Sequence, residues 1–575
     1  MQLVRRLHLP AIVCALAVLL CELIARPFTT MGISDEGPYI LAAQKFSATG
    51  HIVYNGWSAA MLVWQLYLGA AFIKLFGFSF TTVRMSTLLV SLALAFFLQR
   101  TLVYSGITER NATLGTLALV LSPLYLMLSA TFMSDIHGLF AMVLCLYGCL
   151  RALQSPATRA AIGWLCFAVA TNLLCGTSRQ LAWLGILVML PSTLWLLRAR
   201  RRVLFAGAAA TLTGVLFILI SMRWLKHQPY TTPETFHVGH VSVAYLTVQF
   251  FHFFLDLPFL LLPIVAMFLP LAFKRGRLLM AIVTAVALIY ALIALYLKHL
   301  PLLEPTLGDW INPYGGYVYL SEGTPPTFLH LWLRLLLTLA TFGGLLGLMA
   351  SSIPSSKTSV ARNSSSRISW YELAVLMLPF ATAYLLLLID RALTIADAGT
   401  PIVIDRYALG LLLVALVVLV RYYQEQIQRQ LPLAAILLVA LTALYGVSVT
   451  HNMFAFYRAR VALAAELSAN GIPDTSVDNG WEYNIGVELQ HADHINNPGI
   501  VLPRHAYVPT APPPAGTCPM FWYDFTPHIH PLYGASYDPN ACYGPAPFDP
   551  VHYSRWFART PGTLYVVRYT PITRP

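Results

Sequence analysis

Ser34-Asp35-Glu36-Gly37-Pro38-Tyr39 sets two carboxylates side by side, directly after an apolar stretch. Such acids suit proton transfer, because a positioned carboxylate can take the proton of a hydroxyl as that hydroxyl attacks. The same residues also read as a helix start, with Ser34 or Asp35 capping a short helix over 38–48 and Pro38 in its first turn. The two readings are compatible: a helix N-terminus favours the ionised carboxylate while weakening it as a base. A second acid stands in Thr131-Phe132-Met133-Ser134-Asp135-Ile136-His137, between two apolar runs, where a carboxylate is costly unless solvated or paired. His137 reads first as a packing or hydrogen-bonding histidine. Arg84, Arg179 and Arg406 each stand at the end of an apolar run. A lone arginine there snorkels to lipid headgroups. Three of them beside two acidic loops also suit a phosphate, whose oxygens match the guanidinium fork. Tyr39, His137 and Tyr407 lie in or beside these motifs and are candidates for a supporting role.

Other chemistry lacks its signature. No phosphate-cradling glycine loop, GxGxxG, HExxH or CxxC occurs. His528-Ile529-His530 is too sparse to assign a metal, so no metal ligand or required cofactor is expected.

The elements that must position these groups are hydrophobic. Of 575 residues, 58% are hydrophobic and only 10% charged, against about 25% charged in a soluble domain. Apolar runs long enough to cross hydrocarbon recur along most of the chain. They predict spans at 10–26, 84–104, 113–130, 136–153, 160–176, 181–197, 203–222, 247–273, 278–297, 327–350, 371–389, 406–422 and 432–449. The first of these, after Arg5 and Arg6, has signal-peptide character but no small-residue cleavage site, so it is expected to remain as a helix. The net charge of +12 would suggest nucleic acid in a soluble protein. Here the cations lie in short clusters between apolar runs, as topology determinants, and no nucleic-acid partner is expected.

Residues 58–77 decide the topology, because they too are long enough to span. If they span, Arg198, Arg200, Arg201, Arg202, Lys274, Arg275, Arg277, Lys357, Arg362 and Arg367 face outward, against the positive-inside rule. The expectation is therefore a surface-lying or re-entrant helix at 58–77, with the N-terminus inside and the C-terminal region outside. Asp35, Glu36, Asp135, Glu234, Glu304, Asp309, Glu322, Asp390, Asp397 and Asp405 then fall on or near the outer face, with Asp256 the main exception.

Two domains are expected: 1–451 in the membrane, with a first outer loop over 27–83, and an outer domain over 452–575. The latter opens on a helix at 455–470, stopped by Gly471 and Pro473, and includes a strand-like 564–569. Six cysteines lie in apolar segments; Cys518 and Cys542 lie in the polar region and can pair if it faces an oxidising compartment.

These motifs resemble a known family. Asp35-Glu36-Gly37-x-Tyr39, then Gly50, Asn55, Lys74-Leu75-Phe76-Gly77 and Arg84, is similar in order to the first outer loop of GT-C membrane glycosyltransferases. The branch it resembles holds the protein O-mannosyltransferases and the lipid A aminoarabinose transferases. Thr131-x-x-Ser134-Asp135 resembles the second acidic motif, Asp405-Arg406-Tyr407 a D-R-Y found in many bacterial members, and 471–484 the outer domain of bacterial relatives. Ser58-Ala59 stands where the family usually has two prolines.

The resemblance implies an all-α polytopic bundle of about thirteen membrane helices, GT-C type, with a small α+β extracytoplasmic domain. It implies inverting transfer of a sugar from a polyprenyl-phosphate donor to a lipid, glycan or protein hydroxyl, with no required metal. Asp35 would be the base, and Glu36 and Asp135 would orient the acceptor. Arg84, Arg179 and Arg406 would hold the leaving phosphate. The setting it implies is a bacterial inner membrane, among membrane lipids, with the C-terminal domain periplasmic. Two rivals are a transporter or flippase of lipid-linked sugars, which would show repeats and mid-membrane ionisable groups, and a non-catalytic scaffold.

Overall fold

The structure is a computed structural model that describes residues 2–232, 257–275, scattered positions between 278 and 292, 309–352, 368–396 and 404–571. The expected spans 247–273 and 278–297 fall partly outside these residues, and Asp256, Glu234, Glu304 and Asp397 wholly so.

The chain is an integral multi-pass membrane protein built as a helical bundle. Among the described residues nine helices are long and apolar enough to cross a membrane, or ten if one bent pair counts as a single span. In chain order the helices are α1 (Gln2–Ala25), α2 (Glu36–Thr49), α3 (Val63–Phe76), α4 (Phe80–Tyr104), α5 (Glu109–Val120), α6 (Pro123–Ser129), α7 (Ser134–Gln154), α8 (Thr158–Gly176), α9 (Leu190–Leu196) and α10 (Arg201–Lys226). They continue as α11 (Leu262–Val265), α12 (Leu269–Arg275), α13 (Leu331–Ser351), α14 (Trp370–Ala396), α15 (Leu409–Tyr422), α16 (Leu433–Ala469) and α17 (Trp481–Ala492).

The structure does not follow the expected regular spans at three places. Residues 113–130 break into α5 and α6, bent by 69°. Ser122 accepts from the Tyr125 amide as an N-cap and Pro123 opens the new helix, so the local sequence starts a second helix inside one apolar run. Residues 181–197 form a 3-10 turn (Gln180–Trp183), a π-turn (Gly185–Met189) and then α9. Pro191 near the start of α9 has no amide to donate, which favours such a bulge. Conversely, the expected separate helices at 432–449 and 455–470 are one helix, α16, of 37 residues. Nothing between Gly446 and Gly471 breaks it, and Gly471 (φ 79°) and Pro473 stop it. It runs through the expected 451/452 boundary without interruption.

Helix α3 has 14 residues and so rises about 21 Å, too short for the roughly 30 Å of hydrocarbon. It lies against the site end of the bundle: Gln65 Nε2 donates to the Phe132 carbonyl (2.6 Å) and the Trp64 amide to Thr177 Oγ1 (3.0 Å). Parity confirms that 58–77 makes no crossing. Glu36 and Arg84 flank that segment and pair directly, at 2.5 Å; a crossing would have put them on opposite sides of the bundle.

Beyond α16 a four-stranded sheet of β1 (Val477–Asp478), β2 (Tyr533–Ser536), β3 (Val551–Tyr553) and β4 (Gly562–Arg568) has the order β1-β2-β4-β3. β1 pairs parallel with β2, and β4 runs antiparallel to both β2 and β3. Cys518 and Cys542 form a disulfide. The sheet region is fastened to α16 by the fully buried Arg460–Glu482 pair (2.8 Å) and by His451, whose Nε2 lies 3.0 Å from Ser554 Oγ.

Candidate active site

At the end of the bundle where α1 exits and α7 begins, the chain turns back on itself over residues 32–37. A Cβ on Gly32 would lie 2.6 Å from the Gly37 Cα, so only glycine lets these strands of the loop meet. Within the loop Ser34 holds φ 54°, a left-handed conformation that a serine adopts only where its surroundings demand it. Asp35 follows at the N-cap position of α2 but makes no side-chain cap bond. Its carboxylate is turned away, with Oδ2 accepting from Arg406 Nη1 (2.7 Å) and Oδ1 from Trp57 Nε1 (3.3 Å). The capping reading of Asp35 is therefore not the one realised.

Arg406 is the centre of the site. Besides Asp35 it lies 3.1 Å from Asp309 through Nε and 3.9 Å from Asp135 Oδ2. Nε and Asp309 Oδ2 are close enough to attract but not aligned as a hydrogen bond. Its neighbour Asp405 accepts from the amides of Trp310 (2.9 Å) and Ile311 (2.6 Å), which pins the loop carrying Asp309. Asp135, fully buried, binds Arg179 (2.5 Å). Arg179 also approaches Ser134 Oγ (3.4 Å) and lies over the Tyr407 ring, 5.0 Å from its centroid. Tyr407 thus serves Arg179, Arg391 and Arg406 as a shared cation–π face. The side chains of Asp35, Asp309, Arg179 and Arg406 keep 11 to 17% of their surface exposed, so a ligand can reach them.

The cluster also acts on its neighbours. Burial pushes the Asp309 carboxyl up to about 6; the Arg406 charge pulls it back, and Asp35 and Asp135 reinforce the rise. Burial likewise raises the Tyr39 hydroxyl well above its ordinary range; Asp35 and Asp135 add to this while Arg406 and Arg179 oppose it. Tyr39 therefore stays a neutral hydroxyl within the field of the cluster.

Two sequence-predicted residues form a separate unit. Glu36 and Arg84 are 0% and 3% exposed. Glu36 accepts from Arg84 and from the amides of Ile33 and Phe132. Arg84 uses Nε, Nη1 and Nη2 on Glu36 and the carbonyls of Thr29 and Met31. Its fork is occupied by protein and buried. By contrast, Nη2 of both Arg179 and Arg406 holds no hydrogen bond among the described residues. His137 is fully buried and faces Thr87 of α4 (3.3 Å), among packed helices and not in the cluster. His528 binds Glu488 (2.8 Å), and no group of three or more His, Cys, Asp or Glu placed to hold a metal occurs among the described residues.

Sequence reasoning did not select Asp309 or Trp57. Asp309 was visible only as one of many acids on the same face, and Trp57 carried no local signal at all.

No family model matches the chain, and no curated protein is similar to it at a significant level. Among solved structures it is similar to ArnT from Cupriavidus metallidurans in the apo state, at 15% identity and a TM-score of 0.37, covering 79% of each chain. It is also similar to the archaeal oligosaccharyltransferase AglB from Archaeoglobus fulgidus in complex with an inhibitory peptide and a dolichol-phosphate. There the identity is 16% and the TM-score 0.40, over 90% of this chain and 63% of that one. The S. cerevisiae protein O-mannosyltransferase Pmt1-Pmt2 complex bound to the sugar donor gives 14% and 0.31, over 38% and 33%. With every TM-score below 0.5, these similarities establish no correspondence between residues, and the chemistry has to be read from the cluster itself.

Proposed function

We propose that the chain is a GT-C type membrane glycosyltransferase that moves a sugar from a polyprenyl-phosphate donor to an acceptor hydroxyl, with inversion, at the outer face of the membrane. The observation that carries the reading is the Asp35 carboxylate, withheld from its helix cap and aimed into a reachable cluster of carboxylates and arginines. The sequence resemblance of the first loop supports the donor class.

In this reading the acceptor oxygen bonds to the anomeric carbon as its proton passes to Asp35. The anomeric carbon–oxygen bond breaks, and polyprenyl phosphate leaves with the bonding electrons. The leaving phosphate gains negative charge, and Arg406 and Arg179, each with an uncommitted Nη2, are placed to stabilise it. When the phosphate takes Arg406, Asp35 is released from its 2.7 Å contact and is free to face the acceptor hydroxyl. Asp135 holds Arg179, and Asp405 sets the Asp309 loop. Glu36 and Arg84 are assigned to fixing the first loop and not to acceptor or phosphate contact. The region beyond α16 is an outer domain, and its disulfide fits an oxidising periplasm.

The direct test supplies purified protein in lipid nanodiscs with a polyprenyl-phosphate sugar and a panel of lipid, glycan and peptide acceptors. Release of polyprenyl phosphate with loss of the donor sugar is expected. Movement of intact donor across a sealed vesicle with no cleavage would establish the transporter instead.

Asp309 adds a pH prediction. At neutral pH it is mostly ionised and helps to hold Arg406, so kcat/KM should fall as pH drops through about 6. Asp309→Asn should remove that acid limb. Stability runs the other way: keeping a buried carboxylate ionised costs the folded state above about pH 6, and this cost fades as pH falls toward the ordinary carboxylate range. A profile with no Asp309-dependent limb would exclude this role.

A further inference from the structure

The end of the bundle opposite the Asp35 cluster carries groups that the transfer mechanism does not use. Helix α4 begins at the end that holds the cluster, and its 25 residues rise about 38 Å. Its far end therefore stands across the whole hydrocarbon layer. There the turn before α5 and the loop after α15 face one another over a cleft of about 330 Å³, lined by Thr108, Arg110, Gln428, Arg429 and Gln430.

Two side chains hold the walls together. Asn111, fully buried, donates to the Arg429 carbonyl (3.0 Å) and accepts from the Leu431 amide (3.0 Å). Gln424 accepts from the Thr108 amide (2.8 Å) and donates to the Gly106 carbonyl (3.1 Å). The charge of the cleft is one-sided. Glu109 accepts from Gln99 (2.7 Å) and Arg100 (2.9 Å), and Glu425 from Trp370 (2.5 Å) and Arg421 (2.8 Å). Both neighbouring acids are thus matched by buried arginines of the bundle. Arg110 meets only the Gln430 side chain, and the Arg429 guanidinium has no hydrogen bond or ion pair among the described residues. Thr108, at the N-cap of the 12-residue α5, makes no cap bond. The amides of Glu109, Arg110 and Asn111 have no partner among the described residues, and free first-turn amides favour an anion.

A lone arginine at a helix end snorkels and needs no ligand. Here two arginines from distant segments meet at one braced cleft, beside the positive end of a helix and with no acid left to balance them. We propose that this cleft is a phosphate site that takes the headgroup of an anionic phospholipid in the leaflet opposite the Asp35 cluster. Guanidinium forks match phosphate oxygens, and basic pockets between helices at a membrane surface suit such headgroups. Gln428 and Gln430 offer partners for glycerol hydroxyls. The volume is at the small end for ligand sites, which fits a headgroup. A soluble phosphate ester shares this chemistry; the position at a membrane surface favours the lipid. The inference stands without the glycosyl-transfer reading.

Native mass spectrometry of the full chain released from detergent micelles tests it, with phosphatidylglycerol, phosphatidylcholine and glycerol 3-phosphate as separate probes. Phosphatidylglycerol should bind more tightly than phosphatidylcholine, whose choline cation opposes the arginines. Arg110→Gln/Arg429→Gln should weaken phosphatidylglycerol binding about 25-fold, a factor of about five per arginine. Both side chains are exposed, so this variant should melt as the wild type does. Arg201→Gln/Arg202→Gln removes the same charge from exposed residues at the same end and should change binding by no more than about twofold, because salt screens charges placed elsewhere. Equal binding by the Arg110/Arg429 variant, an equal loss in the Arg201/Arg202 variant, or no preference for phosphatidylglycerol would overturn the headgroup site. Binding of glycerol 3-phosphate that depends on Arg110 and Arg429, with no lipid bound by the wild type, would uphold the phosphate site and overturn the lipid as its source.

Discussion

Asp35→Asn is expected to lower the rate of sugar transfer by about 10²–10⁴-fold, the range that a positioned general base contributes, while the protein remains folded. The replacement has nearly the same shape, and its amide oxygen can still accept from Trp57 or Arg406. Arg406 also retains Asp309 at 3.1 Å, so no buried charge is stranded. The loss should fall on the chemical step. Single-turnover transfer should collapse while donor affinity changes little, because the proposed mechanism gives the phosphate contacts to Arg179 and Arg406. A variant that transfers sugar at the wild-type rate would remove Asp35 from catalysis, whatever the multiple-turnover kinetics show.

One residue further along, the outcome should invert. Arg84→Met strands the Glu36 carboxylate in a fully buried site with only the Ile33 and Phe132 amides for company. Breaking a buried pair in this way costs about 3–5 kcal/mol, so a large fall in thermal stability and in yield of folded protein is expected. Molecules that do fold should keep a near-normal donor KM. The double variant Glu36→Leu/Arg84→Met should recover part of the stability, because it leaves neither charge behind. A stable Arg84→Met with a selectively raised donor KM would return Arg84 to the phosphate site. The proposal thus gives the adjacent acids a chemical and a structural role, and thermal melting read beside turnover tells them apart.

That separation was hidden in the sequence. Asp35-Glu36 reads as a pair of equal acids, and Arg84, Arg179 and Arg406 as three equal arginines at helix ends. Which arginine is consumed by protein carbonyls and which keeps a free edge depends on where the 27–33 backbone runs, and no local pattern encodes that path. Asp309 became part of the site only because Asp405 pins its loop from nearly a hundred residues away. Trp57 became part of it because the turn at 32–37 brings Asp35 within reach of its indole N–H.

The sequence by itself determined the membrane class, the non-crossing segment at 58–77, surface-lying or re-entrant, and the grouping of Asp35, Asp135, Asp309 and Asp405 toward one end of the bundle. These follow from run length, charge clusters and crossing parity, which are local or additive properties. Span regularity was decided partly by local punctuation that a hydropathy reading passes over, namely Ser122-Pro123 and Pro191, and by the unbroken helix-forming run through 451. The assembly of Asp35, Asp135, Asp309, Arg179 and Arg406 into one cluster, and of Glu36 with Arg84 into another, was decided only by the tertiary structure. Buried charges must find partners at distances of about 3 Å, and which partner lies that close is a property of the packed helices and not of spacing along the chain.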